Sequence, residues 1–186
     1  MTVVLESKVA GQLIQGKNLP DSWVSVKPLV IPYFDGVTLA VTFAELDPND
    51  PSMLERADKV LANFLLLTST DRLADTEAAF ANYQQALEYL EEPLELAEVS
   101  DIWRHIYPTS LVLTSKYEGE DKDDYVQIEG ECDWEEEHGI ALVFRRGIML
   151  TRLSQYDGHL TEAHAWGKPV PDPLMDRYYG AFGRLA

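Results

Sequence analysis

Basic residues are scarce in this chain. Across 186 residues, 15 Lys and Arg stand against 32 Asp and Glu, a formal charge of −17. A nucleic-acid binder needs a basic stripe to replace phosphate counterions, so nucleic acid is not an expected partner. The same deficit argues against an anionic membrane surface. The single cysteine, Cys132, cannot form an intrachain disulfide, which fits a reducing compartment. No apolar run approaches the ~20 residues that span a bilayer. Residues 1–6 reach an acid before any basic residue, so they do not read as a secretory signal. A cytoplasmic location is the expectation. Strong catalytic signatures are missing too: there is no His-Glu-x-x-His, no Cys-x-x-Cys, no phosphate-binding Gly-rich loop ending in Lys-Ser/Thr, and no Gly-x-Ser-x-Gly.

What is present suits a folded domain: 46% hydrophobic and 25% charged residues are enough for a sizeable core. The acidity is concentrated. Residues 71–101 carry nine acids and one base, and residues 117–137 carry eleven acids and one base. Such blocks are either solvated faces kept for solubility or a docking surface for a basic protein, since complementary fields speed encounter. For docking, the candidates are Glu118, Glu120, Asp121, Asp123, Asp124, Glu135, Glu136 and Glu137. The 121–124 cluster fails as an EF-hand because it lacks the sixth-position Gly and twelfth-position Glu.

The chain reads as a single α+β domain over 1–186. Residues 28–47 place two β-rich runs around Asp35-Gly36, a pair suited to positive φ in a two-residue turn, so a hairpin is expected in the 1–50 region. Pro32 lacks an N–H and should keep its arm short or at an edge. Within 52–107, Ser52 with Glu55 resembles a capping box opening a helix whose apolar stripe runs through Met53, Ala57, Val60, Phe64 and Leu67. Thr68 to Asp71 breaks that helix, and a second, from Asp75 or Thr76, carries Phe80, Tyr83, Leu87, Leu90 and Leu94. The short polar link between them predicts an antiparallel helical hairpin. Residues 109–165 read as a strand meander, with the apolar run 140–144 as a central, doubly covered strand and 145–147 as a tight turn. Residues 166–186 read as an extended tail and a short helix. This segregated order argues for an antiparallel sheet, hairpin plus meander, packed against the helical hairpin.

If 125–134 pairs with 140–145, His138-Gly139 sits at their connection, and residues 154–159 return to the same end. His138, Asp157 and His159 then converge near Glu135 to Glu137. Two imidazoles and a carboxylate suit zinc or another borderline divalent ion. They equally suit a hydrogen-bonded knot fixing two loops, with Gly139 and Gly158 supplying positive φ. A general acid–base pair is a third use. Cys132, with acids on either side, has a raised thiol pKa and reads as a small buried side chain. Trp134 reads as a hydrophobic lid on the sheet. His105 and His164 lie outside this constellation and carry no catalytic expectation.

Three segments carry a resemblance: residues 101–110, the run from Cys132 through Trp134, Glu137-His138-Gly139, Phe144 and Gly147, and Tyr156-Asp157-Gly158-His159. Together they resemble a bacterial domain-of-unknown-function family with the pattern Trp-x-x-Glu-His-Gly, Phe-x-x-Gly, Asp-Gly-His. The Pro32-Tyr33-Phe34-Asp35-Gly36 hairpin fits the start of that family. The resemblance implies no established activity; by analogy, small acidic proteins of this kind are associated with toxin immunity. The residues therefore point first to a non-catalytic binding protein engaging a basic partner. The alternative is a metal-binding protein or metal-assisted hydrolase at His138, Asp157 and His159, and a purely structural or assembly role is a third option.

Overall fold

The structure, a computed structural model, describes residues 4–17, 21–115 and 123–167. In chain order its strands are β1 (Val4–Ser7), β2 (Gly11–Gln15), β3 (Trp23–Ser25), β4 (Leu29–Ile31), β5 (Val37–Leu39), β6 (Val41–Phe43), β7 (Ile106–Thr114), β8 (Tyr125–Cys132), β9 (Glu135–Arg145) and β10 (Met149–Ser154). Its α-helices are α1 (Pro51–Phe64), α2 (Ser69–Ala74), α3 (Thr76–Ala86) and α4 (Glu162–Trp166). The tail and short helix expected near the end of the chain fall in 168–186, outside the described residues.

Eight strands form one sheet in the order β1-β2-β3-β6-β7-β8-β9-β10, and β4 pairs with β5 separately. The architecture is mixed α+β, and the C-terminal meander β7-β8-β9-β10 is antiparallel throughout. It departs from the expected sheet in two ways. Residues before 28 supply three strands of the main sheet, where only a hairpin is expected in that region. And β6 runs parallel to β7, Val41 opposite Leu111 and Phe43 opposite Leu113, because the connection between them carries α1, α2 and α3. A parallel pair needs such a crossover.

The Asp35-Gly36 hairpin forms, with a longer connection than two residues. Pro32–Phe34 makes a 3-10 turn, and Asp35 (φ 53°) and Gly36 (φ 87°) complete the reversal. Proline's fixed φ suits the first position of that turn. The turn drives Tyr33 into the core, where its hydroxyl donates to Asp75 (2.9 Å).

The first helix is capped two residues earlier than its sequence suggests. Asp50 is the cap, accepting from the Ser52 amide (3.0 Å), with Pro51 in the first turn where a missing N–H costs nothing. The helix ends at Phe64, ahead of the expected break at Thr68 to Asp71, whose side chains instead form a reciprocal cap that starts α2. The link expected between two helices is thus itself helical. The helices pack on different partners: α1 on β1, β7 and β8, α2 on the Pro32–Phe34 turn and on α3, α3 also on β10 and the 3-10 turn Val99–His105. Because α3 stops at Ala86, Leu90 and Leu94 reach the core from irregular chain, held where Tyr83 Oη accepts from the Leu94 amide (2.9 Å).

Tyr33 is the hub of the core, with ring centroids 5.1 Å from Phe144, 6.0 Å from Phe64 and 6.0 Å from Trp103. Residues 140–144 are buried on both faces, as their unbroken apolar pattern predicts. Ile140, Leu142 and Phe144 face this core, while Val143 packs with Tyr125 and Leu160 on the other side. The β9–β10 turn holds Arg146 at φ 54° and Gly147 at φ 71° and abuts α1. The Asn63 side-chain amide donates to the Arg146 carbonyl (3.0 Å), and a Cβ on Gly147 would lie 2.1 Å from the Val60 carbonyl oxygen.

Candidate functional site

At the far end of the meander, α3, the β8–β9 turn, β10 and α4 surround an open cleft of about 600 Å³. Its walls come from distant parts of the chain. Asn82, Gln85 and Tyr89 belong to the first acidic stretch, Trp134 and Glu135 to the second, and Arg152, Asp157, Glu162 and Trp166 to the last described segment.

Local chemistry builds each wall. The β8–β9 connection is Asp133-Trp134, with Cys132 opposite Glu135, so His138-Gly139 is not the connection as expected. Gly139, at φ 63°, instead lies within β9 beside a register shift opposite Gly130 to Cys132. A Cβ there would sit 2.4 Å from the Gly130 carbonyl oxygen, so this glycine serves a bulge rather than a turn. Trp134 is buried, as a lid on the sheet should be, and it also ties sheet to helix: its Nε1 donates to Asn82 Oδ1 (2.9 Å), and its ring meets Tyr83 edge-on at 5.8 Å.

The floor is Arg152, whose side chain is 7% exposed. It pairs with Asp157, and its Nη1 lies 2.9 Å from Glu162 Oε2. The other oxygen of Asp157 accepts from the His159 amide (3.0 Å). The Thr151 hydroxyl sits between the carbonyls of Val143 (3.2 Å) and Leu160 (3.0 Å). These contacts pin residues 155–161 back against β10 and place α4 over the cleft.

Glu135 is held through one oxygen. Its Oε1 accepts from the amides of Glu137 (3.0 Å) and His138 (3.1 Å) and faces the His138 ring at 3.3 Å. Burial pushes this carboxyl up, but those hydrogen bonds outweigh burial and hold it below the usual carboxylate range. It is therefore charged at neutral pH.

The predicted metal trio separates into two groups of contacts. His138 is exposed and bound to Glu135; Asp157 is committed to Arg152 and the His159 amide; the His159 ring has its Nδ1 buried without a hydrogen-bond partner. Asp157 and Glu135 share the cleft, whereas His138 and His159 do not line it. Among the described residues no group of three or more His, Cys, Asp or Glu side chains is placed to hold a metal ion.

The predicted docking acids also divide. Asp123 bridges Arg145 and Arg146, and Asp124 pairs with Arg56 (3.3 Å), so both fasten the β9–β10 end to the body. Burial raises the Asp123 carboxyl, and the two arginines more than reverse that. Glu136 and Glu137 are exposed beside Glu135. Glu118, Glu120 and Asp121 lie outside the described residues. Asp133, at the same turn, is occupied by His105 Nδ1 (2.7 Å) and the Tyr107 hydroxyl (3.1 Å). Neighbouring Cys132 is buried, and burial pushes its thiol up to about 11.

The sequence pattern missed Asn82, Tyr89, Arg152, Glu162 and Trp166. The available signal was weak: Tyr89 and Trp166 are large aromatics outside any apolar stripe, and they emerge 80% and 66% exposed. Residues 13–160 match the family described as Domain of unknown function (DUF6985), a span that includes the sheet and α3 walls of the cleft and ends before α4. No curated protein and no solved structure matches the chain.

Proposed function

We propose that this chain, which belongs to the DUF6985 family, is a non-catalytic binding protein that meets a basic protein partner at the cleft and the carboxylates around it. One observation carries the reading: among the described residues, the charged side chains lining the cleft are three carboxylates (Glu135, Asp157 and Glu162) against the single base Arg152. Glu88, next to Tyr89, and Glu136 and Glu137, next to Glu135, are exposed, so a partner approaching these walls meets further carboxylates. An immunity-type role, in which the partner is a basic effector neutralised by occlusion, is the biological form this reading takes.

The test is affinity capture from native lysate with the full chain as bait. A Glu136→Lys/Glu137→Lys variant serves as control. The expected result is a cationic protein retained by the wild type at low salt, released in roughly 1 M salt, where the screening length falls to about 3 Å, and not retained by the variant. If no basic protein is enriched over the variant, the reading fails.

A further inference from the structure

Three features of the cleft remain unanswered by the protein itself. Glu135 Oε1 takes the hydrogen bonds that the carboxylate makes, and among the described residues Oε2 has no partner on the cleft wall. Arg152 Nε, on the floor, is buried with no hydrogen-bond partner. Tyr89 and Trp166 present broad exposed faces at the rim, 80% and 66% accessible.

Charge decides what could answer them. Among the described residues, Arg152 is the sole Lys or Arg lining the cleft, against Glu135, Asp157 and Glu162. Its guanidinium is already shared between Asp157 and Glu162 and does not serve Glu135, whose pairing with the exposed His138 ring is made through Oε1. A cation entering here gains a fixed carboxylate and two aromatic faces, the combination that attracts guanidinium groups most strongly because they are planar and weakly hydrated. Lysine offers a point charge without the stacking plane. The Asn82 amide nitrogen, left over once Asn82 Oδ1 accepts from Trp134, asks for an acceptor oxygen. A main-chain carbonyl beside the cationic side chain supplies one. The volume, about 600 Å³, exceeds a single side chain and accommodates a residue with its flanking peptide groups.

We infer that the cleft is a socket for an arginine residue within an extended segment of the partner, its guanidinium on Glu135 Oε2 between Tyr89 and Trp166 and its peptide carbonyl toward Asn82. This rests on the basic-partner reading and names the group that anchors it.

The experiment follows the indole N–H resonances of Trp134 and Trp166 in the full-length protein. Three probes are titrated: acetyl-Gly-Arg-Gly amide, its citrulline counterpart (same shape, no charge), and maltotriose. Saturable shifts of both indoles are expected with the arginine peptide, with affinity about tenfold weaker for citrulline. Glu135→Gln and Trp166→Ala should each weaken the arginine peptide by about fivefold. Trp166 is exposed, so its variant keeps the fold if Glu135→Gln does not. Equal binding of the citrulline peptide overturns the inference, as does an absence of shifts with arginine. Shifts with maltotriose alone overturn it in favour of a sugar site. If capture of a basic protein succeeds while the arginine peptide fails, only the socket falls. If the arginine peptide binds while capture fails, only the partner reading falls.

Discussion

Glycine 147 shows how one residue can join two parts of the chain. Its φ of 71° is already unfavourable for any other residue, and its missing Cβ makes room for the carbonyl of Val60 on α1. Gly147→Ala should therefore cost at least about 2 kcal/mol, strain plus displacement of a helix, measured by denaturant unfolding. Gly158→Ala is the comparison. Its φ is 78°, but nothing lies within 4 Å of the added methyl, so about 1 kcal/mol of strain is expected. The turn at Arg146-Gly147 was readable from the sequence, but the reason it admits only glycine was not, because Val60 lies far away along the chain. Cys132 was readable, since its acidic neighbours and apolar context both argue for an unreactive thiol. With its pKa pushed up to about 11, its labelling by a thiol reagent near pH 8 should be on the order of a hundredfold slower in the native protein than in the unfolded one. The sign for stability follows. The native thiol keeps its proton where the unfolded thiol has lost it, so this contribution is full below about pH 8.5 and declines as pH rises toward 11.

At the scale of elements, local signals placed boundaries well and partners poorly. The helix start was visible as a cluster of turn and capping residues, but the cap is Asp50, not Ser52. Asp50→Ala should lower the unfolding midpoint more than Ser52→Ala does. The Asp50 carboxyl is held low mainly by the Ser52 hydroxyl, so its contribution is full above the ordinary carboxylate range and is lost as pH falls below that range, through the lowered folded-state value. The stripe on α1 was legible because its period is set by the helix alone. Phe64, fully buried and 4.9 Å from the Phe144 ring, should cost about 3–5 kcal/mol on replacement by Ala. The bulge at Gly139 was not legible. A glycine after a histidine reads equally as a turn or a bulge until the opposite strand is known, and that ambiguity moved the expected site from Glu135 to His138. The cleft was hidden for the same reason: Asn82 meets Trp134 only once α3 is laid on β10.

The whole molecule carries −17, and its exposed ion pairs, such as Lys8 with Glu55 (3.6 Å), do little to offset that. Raising ionic strength from about 10 to about 150 mM shortens the screening length from about 30 to about 8 Å, and the expected outcome is a higher melting temperature as self-repulsion is relieved. The α+β class was foreseeable from the order of hairpin, helices and strands. The joining of the two halves was not, since β6 and β7 meet through a crossover that no local pattern announces. That parallel seam has a consequence for synthesis. When β6 leaves the ribosome its outer edge is unclaimed, and it stays so until three helices have been translated and β7 arrives to cap it. The nascent N-terminal half must wait with a bare, sticky border, and the acids concentrated in residues 71–101, made during that interval, are in place to keep neighbouring nascent chains apart.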